Sequence, residues 1–167
     1  WHGVPFYLRT GKRMHQSSSI ISIQFKDVPH MIFPNEAVEG WQQNRLIISI
    51  QPEMSIRLQV QAKRPGLDMS LNPVDLIFDY HGTNSKDTPE AYETLLLDTM
   101  VGDQTLFMRG DQVEEAWELL MPILSTWERK KSLNFPNYFA DSWGPETAEA
   151  LIAQDGFHWF TLPFKNQ

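Results

Sequence analysis

Three cations surround a glycine near the start of the sequence, and no other stretch of the chain is better suited to binding an anion. Arg9, Lys12 and Arg13 flank Gly11, directly after the apolar run 4–8. Glycine permits a sharp turn, and a lysine ammonium is a compact charge with three donors that suits a phosphate oxygen. The residues alone allow two interpretations: a basic strand end that faces water, or one side of an anion site.

Two uncharged side chains extend this candidate site. Gln51, at the end of a predicted strand, offers both a donor and an acceptor, which suits a sugar hydroxyl. Tyr92, at the start of a predicted helix, offers a hydroxyl, although a packing role fits this residue equally well. Spacing alone does not show that Lys12, Gln51 and Tyr92 converge.

The sequence lacks the patterns of other common reaction centres. It contains no strand followed by a glycine-rich dinucleotide turn, no P-loop and no H-E-x-x-H pair, and its five histidines are scattered. It also has no cysteine, which excludes disulfides, zinc–thiolate sites and cysteine nucleophiles and fits a cytosolic protein. We therefore expect no catalytic residue, no metal site and no coenzyme site within these residues.

Composition describes a folded, acidic chain. Its 167 residues correspond to about one domain. The net charge of −7 argues against a nucleic-acid partner, because neutralising phosphates requires a basic face. No stretch reaches the roughly 20 apolar residues that a membrane-crossing helix needs, and no signal-peptide pattern is present. We expect neither nucleic acid nor a membrane as a partner.

The first half of the sequence alternates with a period of two, which is typical of strands with one buried face. A short strand is predicted at 4–8, and another is expected at 75–80. Because only Pro52 and Glu53 separate two of the alternating runs, these two should form an antiparallel hairpin. The alternating runs are 21–26, 46–51 and 54–61.

The second half changes to a helical period. The pair 88–89 predicts a helix start, and Asp111 with Glu114 predicts a capping box before an apolar stripe. Pro122 predicts a kink in that helix, and a shorter helix is expected within 144–156, ended by its last glycine. Strands followed by helices predict an α+β fold: a large, mainly antiparallel sheet with helices packed on one face.

One face of the predicted sheet is polar. It can be plain solvated surface, or it can meet a twin face across a two-fold axis, where long polar side chains pair. The polar positions come from two strands: Ser22, Gln24 and Lys26, and Arg57, Gln59 and Gln61.

Five stretches of the sequence together resemble the glucose-6-phosphate dehydrogenase family. The run 4–13 is similar to the family's R-[TC]-G-K region, and the other four follow in the family's order. They are 44–52, like a strand that ends in Q-P; 63–66, like a K-x-P-G turn; 89–93, like a [DE]-A-Y-E helix start; and 143–145, like a closing G-P segment. The similarity covers nearly the whole chain and implies the carboxy-terminal β+α domain of a bacterial-type member, with a fold like the carboxy-terminal domain of glyceraldehyde-3-phosphate dehydrogenase.

The resemblance implies one part of an enzyme. Residues 1–167 would form its substrate-side and dimerisation domain, and the Rossmann domain, the D-H-Y-L-G-K motif and the catalytic histidine would precede Trp1. The whole enzyme would transfer a hydride from C1 of glucose 6-phosphate to NADP in the cytoplasm, giving 6-phosphogluconolactone in the pentose phosphate pathway. This chain alone should be inactive. The rival hypothesis is a non-catalytic sugar-phosphate-binding or assembly module.

The resemblance also implies roles for single residues. Lys12 matches the family lysine that contacts the substrate, Arg9 matches the motif arginine, and Gln51 falls where a polar substrate contact is expected. Ser17 stands where relatives often carry a further basic substrate contact. Because the family dimerises through its large sheet, the resemblance favours a homodimer through the polar sheet face.

Some relatives have a second, structural NADP site lined by basic and aromatic residues. The matching positions here are Ser49, Arg57, Gln59 and Trp159. Because only Arg57 is basic, we expect this second site to be absent, as in bacterial members. NADP would then be bound by the amino-terminal domain alone.

Overall fold

The structure is a computed structural model that describes residues 1–27, 33, 38, 41–80, 91–130 and 135–161. These described residues form four strands and three helices: β1 Ser19–Gln24, β2 Arg45–Gln51, β3 Ser55–Lys63, β4 Leu71–Asp79, α1 Ala91–Val101, α2 Gly110–Arg129 and α3 Glu146–Ala153. The chain divides into two compact units, one with the four strands and α3, the other with α1 and α2. The predicted α+β class is confirmed.

The four strands form one sheet in the order β1-β2-β3-β4, with each strand antiparallel to its neighbour. The predicted hairpin is confirmed, since Ser49 pairs with Ser55 and Ile48 pairs with Ile56 on either side of the turn. Sequential antiparallel pairing of this kind needs only short connections.

The register confirms that the predicted polar positions share a face. Residues directly opposite one another point to the same side of a sheet, and Gln24, Arg45, Gln59 and Asp75 form one such row across all four strands. We call the side that carries this row the polar face. Lys26 lies beyond the end of β1. The opposite, apolar face carries Ile21, Ile23, Leu46, Ile48, Ile56, Leu58, Val60, Val74, Leu76 and Phe78.

The most buried strand residues lie on the polar face. Ile47 is 2% exposed and Ser49 is 4% exposed, whereas Leu76 on the apolar face is 59% exposed. The chain that follows α3 covers part of the polar face: the guanidinium carbon of Arg45 lies 5.2 Å from the centre of the Phe160 ring, and burial lowers the pKa of Arg45. A cavity of about 220 Å³ at this end of the sheet is lined by Gln24, Gln42, Gln43, Arg45, Gln59, Gly156, Phe157 and His158. At this end the polar face is covered by its own chain, so it is neither plain solvated surface nor accessible to the polar face of a second copy.

Helix α3 ends as the sequence predicted. Gly156 adopts a left-handed conformation with φ 79°, which glycine tolerates without cost from a Cβ atom. The amide of Phe157 donates to the carbonyl of Ile152 at 3.2 Å, and the amide of Gly156 donates to the carbonyl of Ala153 at 3.0 Å. These two reverse hydrogen bonds satisfy carbonyl groups that the helix end would otherwise leave unpaired.

Helix α2 begins differently from the prediction. The cap residue is Arg109, whose amide donates to the side chain of Gln112 at 3.3 Å; the predicted capping box of Asp111 with Glu114 is therefore wrong. Because the helix begins at Gly110, Asp111 lies inside the first turn, where a carboxylate favours the helix dipole. It accepts hydrogen bonds of 2.6 and 3.1 Å from the Arg109 guanidinium.

Two further predictions about the helices have different outcomes. Helix α2 is continuous through Pro122, and the kink there remains a prediction. The predicted helix start at 88–89 lies outside the described residues. None of the helices that the structure describes is long and apolar enough to cross a membrane.

The predicted strand at 4–8 is wrong. No strand is assigned to these residues, and Phe6 and Leu8 are 71% and 86% exposed. The physical reason is that the segment contacts the rest of its unit through the alternate side chains of Tyr7 and Arg9 rather than through ladder hydrogen bonds.

Candidate functional site

Lys12 is exposed in a turn formed by residues 10–13, which we call the Lys12 turn. On each side of this turn, the chain is held by residues that lie around α3, more than a hundred positions later in the sequence. The candidate site is therefore built by two distant parts of the sequence within one compact unit.

The first contact point is Arg9, immediately before the Lys12 turn. Its guanidinium carbon lies 4.6 Å from the centre of the Trp159 ring and 5.2 Å from that of Trp143. Its Nη1 lies 3.3 Å from Oε1 of Glu149 on α3, and the Arg9 side chain is only 14% exposed. Burial lowers the pKa of Arg9, while the charge of Glu149 opposes that shift.

Tyr7 strengthens this first contact point. Its hydroxyl donates a hydrogen bond to the carboxylate of Asp155, just beyond α3. Its ring lies 5.9 Å from that of Phe157 and 6.4 Å from that of Trp159. The indole of Trp159 in turn donates to the carbonyl of Ala148 at 3.0 Å. The segment before the Lys12 turn is thus packed against the end of α3.

The second contact point lies immediately after the Lys12 turn. Met14 and Ser142 form a parallel bridge, in which the amide of His15 donates to the carbonyl of Ser142 at 3.1 Å. The carbonyl of Arg13 accepts a hydrogen bond of 2.9 Å from the amide of Asp141, and both of these residues are left-handed, with φ 54° and 64°. The backbone on this side of the turn is therefore fixed by main-chain hydrogen bonds.

One residue contributes to both contact points. Trp143 contacts the Arg9 guanidinium, and its ring centre also lies 5.7 Å from that of His15. Nδ1 of His15 lies 2.7 Å from Oδ1 of Asp141. Trp143 therefore connects the two sides of the Lys12 turn.

The other predicted site residues lie at different places. Gln51 is exposed at the end of β2, where it pairs with Ser19 of β1. Ser17 is exposed in the short link between the Lys12 turn and β1, and Lys12, Ser17 and Gln51 all belong to the first unit. Tyr92 is 77% exposed on α1, in the second unit.

The four positions that match a structural NADP site all have partners within the chain. Ser49 is buried, and Asp75 pairs with Arg57 at 3.5 Å and accepts from Gln59 at 3.2 Å. Trp159 contacts Arg9. The absence of this second NADP site remains a prediction.

The described residues offer no metal site, since no group of three histidine, cysteine, aspartate or glutamate side chains among them is arranged to hold an ion. They also do not fit a dinucleotide coenzyme. The one described sheet is antiparallel throughout, whereas dinucleotide sites use a parallel strand that leads through a glycine-rich turn into a helix.

A family profile described as "Glucose-6-phosphate dehydrogenase, C-terminal domain" matches residues 1–160. The chain belongs to this family. The resemblance drawn from its sequence motifs is thereby confirmed.

Relatives of the domain are found in several bacteria. It is 45% identical over 164 residues to the glucose-6-phosphate 1-dehydrogenase of Chlamydia pneumoniae, covering 97% of this chain and 32% of that protein. It is 49% identical over 160 residues to that of Mycolicibacterium smegmatis, covering 95% of this chain and 32% of that protein. The chain spans about a third of the length of these relatives.

Solved structures confirm the fold. A glucose-6-phosphate dehydrogenase in complex with its substrate glucose 6-phosphate superposes with a TM-score of 0.70 and 28% identity, over 90% of this chain and 30% of that one. The enzyme from Mycobacterium avium gives a TM-score of 0.66, also at 28% identity, over 92% of this chain and 31% of that one.

Sequence reasoning missed the residues that hold the Lys12 turn: Asp141, Trp143, Glu149 and Trp159. The one sequence signal for these residues is the pair of tryptophans that flanks α3. A tryptophan outside the apolar stripe of a helix often packs against a side chain from another part of the sequence. The sequence does not show that this side chain is that of Arg9.

Proposed function

We propose that this chain is the substrate-side domain of a glucose-6-phosphate dehydrogenase. The whole enzyme oxidises glucose 6-phosphate to 6-phosphoglucono-1,5-lactone with NADP, in the cytoplasm, as part of the pentose phosphate pathway. The observation that carries this proposal is the family match over residues 1–160, which includes an exposed lysine on a turn held at both ends.

In the proposed complex, the Lys12 ammonium pairs with the phosphate of the substrate. A charge-assisted hydrogen bond of this kind is roughly twice as strong as a neutral one. Gln51 can both donate to and accept from a sugar hydroxyl. Ser17 offers a further hydroxyl group at the place of a basic contact in relatives, and the substrate contact of Tyr92 stays a prediction.

When bound, NADP supplies the nicotinamide ring that accepts the hydride from C1 of the sugar. Because the described residues do not fit a dinucleotide, we assign the coenzyme to another domain of the whole enzyme, and we assign no catalytic residue to this chain. The function of the domain is then to bind and orient the phosphorylated sugar. Alone, the 167-residue chain should give no reduction of NADP with glucose 6-phosphate, and clear substrate-dependent turnover by it would contradict this assignment.

The substitution Lys12→Ala in the full-length enzyme tests the proposed function. We expect the KM for glucose 6-phosphate to rise about tenfold or more, because a hydrogen bond to a charged group contributes about 1.5–3 kcal/mol, while the KM for NADP stays unchanged. Lys130→Ala, which removes an exposed lysine at the end of α2, is the matched control. An unchanged KM for glucose 6-phosphate in Lys12→Ala would rule out the proposed role.

We also propose that the enzyme is a homodimer in which the polar face of the sheet forms the contact. The part available for this contact is the edge strand β4, most of whose residues are exposed. Here Ile77 is 58% exposed beside the ion pair of Arg57 with Asp75. An apolar side chain next to paired charges suits a two-fold contact with a second copy.

A further inference from the structure

The contacts of Arg9 do not fit direct binding of the substrate. Its guanidinium contacts the rings of Trp143 and Trp159 and pairs with Glu149. At 14% exposure, the side chain has little surface left for a ligand. A planar guanidinium is suited to this combination of aromatic rings and a carboxylate. A phosphate bound by Arg9 would compete with the Glu149 carboxylate for the guanidinium.

The position of Arg9 in the chain points to another role. Only Thr10 and Gly11 separate it from Lys12, and a chain extends at most about 3.5 Å per residue. A fixed Arg9 therefore restricts where the Lys12 backbone can lie. On the other side of the turn, the bridge of Met14 with Ser142 imposes a second restriction.

We propose that Arg9 is a positioning residue for substrate binding. Held by Trp143, Trp159 and Glu149, it fixes the start of the Lys12 turn, so that the Lys12 ammonium is oriented before glucose 6-phosphate arrives. Orienting a binding group in advance lowers the entropy lost on binding. This inference rests on the proposed function, in which Lys12 contacts the phosphate.

A substitution of Glu149 distinguishes positioning by Arg9 from direct phosphate binding by Arg9, because the two roles predict opposite changes in the KM for glucose 6-phosphate. Glu149→Gln in the full-length enzyme removes the charge that holds Arg9. If Arg9 positions Lys12, the KM for glucose 6-phosphate should rise about two- to fivefold, because a partly exposed ion pair contributes a modest free energy. If Arg9 binds the phosphate itself, Glu149→Gln releases it for that task, and the KM should fall.

A double-mutant cycle supplies the second test. Arg9→Gln alone should raise the KM for glucose 6-phosphate about tenfold, since misplacing a binding group has effects of this size or larger. In the Lys12→Ala background, the same substitution should have almost no further effect, because no ammonium remains to be positioned. Additive effects of the two substitutions would overturn the inference.

Tryptophan variants and controls guard against a general folding defect. Trp143→Phe keeps a ring beside Arg9 and should retain more substrate affinity than Trp143→Leu. Arg64→Gln, at an exposed arginine of the same unit, should leave both KM values unchanged.

If Lys12→Ala has no effect on the KM for glucose 6-phosphate, the proposed function fails. If Lys12→Ala has its expected effect but the cycle is additive, or Glu149→Gln lowers the KM, only the positioning role of Arg9 fails.

Discussion

The hydroxyl of Tyr7 donates a hydrogen bond to the carboxylate of Asp155, which joins the segment before the Lys12 turn to the end of α3. The hydrogen bond to Asp155 raises the pKa of Tyr7 above its ordinary value of 10.0, and burial and the negative charge of Asp155 act in the same direction. A phenol whose pKa is raised in the folded state stabilises that state at pH values below its unfolded pKa. This contribution is lost as the pH rises through the folded pKa.

Tyr7→Phe should therefore lower the melting temperature of the full-length protein at neutral pH. The difference from the wild type should shrink above about pH 10, where the phenol of the wild type ionises beside Asp155. Thermal melting measures this dependence between pH 7 and the highest pH at which the protein is still folded. Tyr80→Phe, which removes a hydroxyl elsewhere in the same unit, is the control. A difference that stays constant over the whole pH range would contradict the prediction.

Ile47 is the most deeply buried strand residue, at 2% exposure. Ile47→Ala should cost about 2–4 kcal/mol of stability, because it removes buried methyl groups and leaves a cavity. Ile50→Ala, on the same strand at 48% exposure, should cost less than about 1 kcal/mol. Thermal melting of both variants measures the difference, and equal losses would show that Ile47 is not a core residue.

Gly156→Ala should destabilise the end of α3. At φ 79° an alanine is strained, although no atom beyond the neighbouring residues lies within 4 Å of the position its Cβ would take, so the expected cost of about 1–2 kcal/mol comes from the local backbone conformation rather than from packing. Gly110→Ala is the matched control, since Gly110 begins α2 in an ordinary helical conformation with the same free space. Its melting temperature should stay the same or rise slightly. Similar decreases in both variants would argue against the conformational explanation.

A charge on the polar face should dissociate the proposed homodimer. Ile77→Glu replaces an exposed apolar side chain of the proposed contact by a carboxylate next to the pair of Arg57 with Asp75, and burying a further charge between two copies is unfavourable. Leu76→Glu places the same charge on the opposite face of the same strand. Sedimentation analysis should show a dimer for the wild type and for Leu76→Glu and a monomer for Ile77→Glu. Dissociation by Leu76→Glu alone would assign the contact to the apolar face.

Three of the strands, β1 to β3, were predictable because each alternates over most of its length, whereas β4 begins at Leu71, ahead of the predicted strand at 75–80. β2 and β3 follow one another across Pro52 and Glu53, so their pairing needed no knowledge of the rest of the chain. The end of α3 was predictable for a similar reason, since a glycine after an apolar helical run signals a left-handed cap. The start of α2 was missed because Arg109, a residue type that rarely caps helices, takes the position that the sequence indicated for Asp111.

The candidate site was predictable only in part. The residue types around Gly11 indicated an anion site, and Lys12 is indeed exposed. The contacts of Arg9 were not predictable, because no local pattern shows which of the many carboxylates and aromatic rings lie beside it. Glu149 and Trp159 become its partners only through packing between opposite ends of the sequence.

The bridge between Met14 and Ser142 has a consequence for synthesis on the ribosome. At about 5–20 residues per second, the partner of Met14 is made on the order of ten seconds after Met14 itself. During this interval α1 and α2 are completed, and the strands of the sheet can already pair. The Lys12 turn can therefore acquire its fixed shape only after residues 141–159 have been made, well after the strands of the sheet can pair.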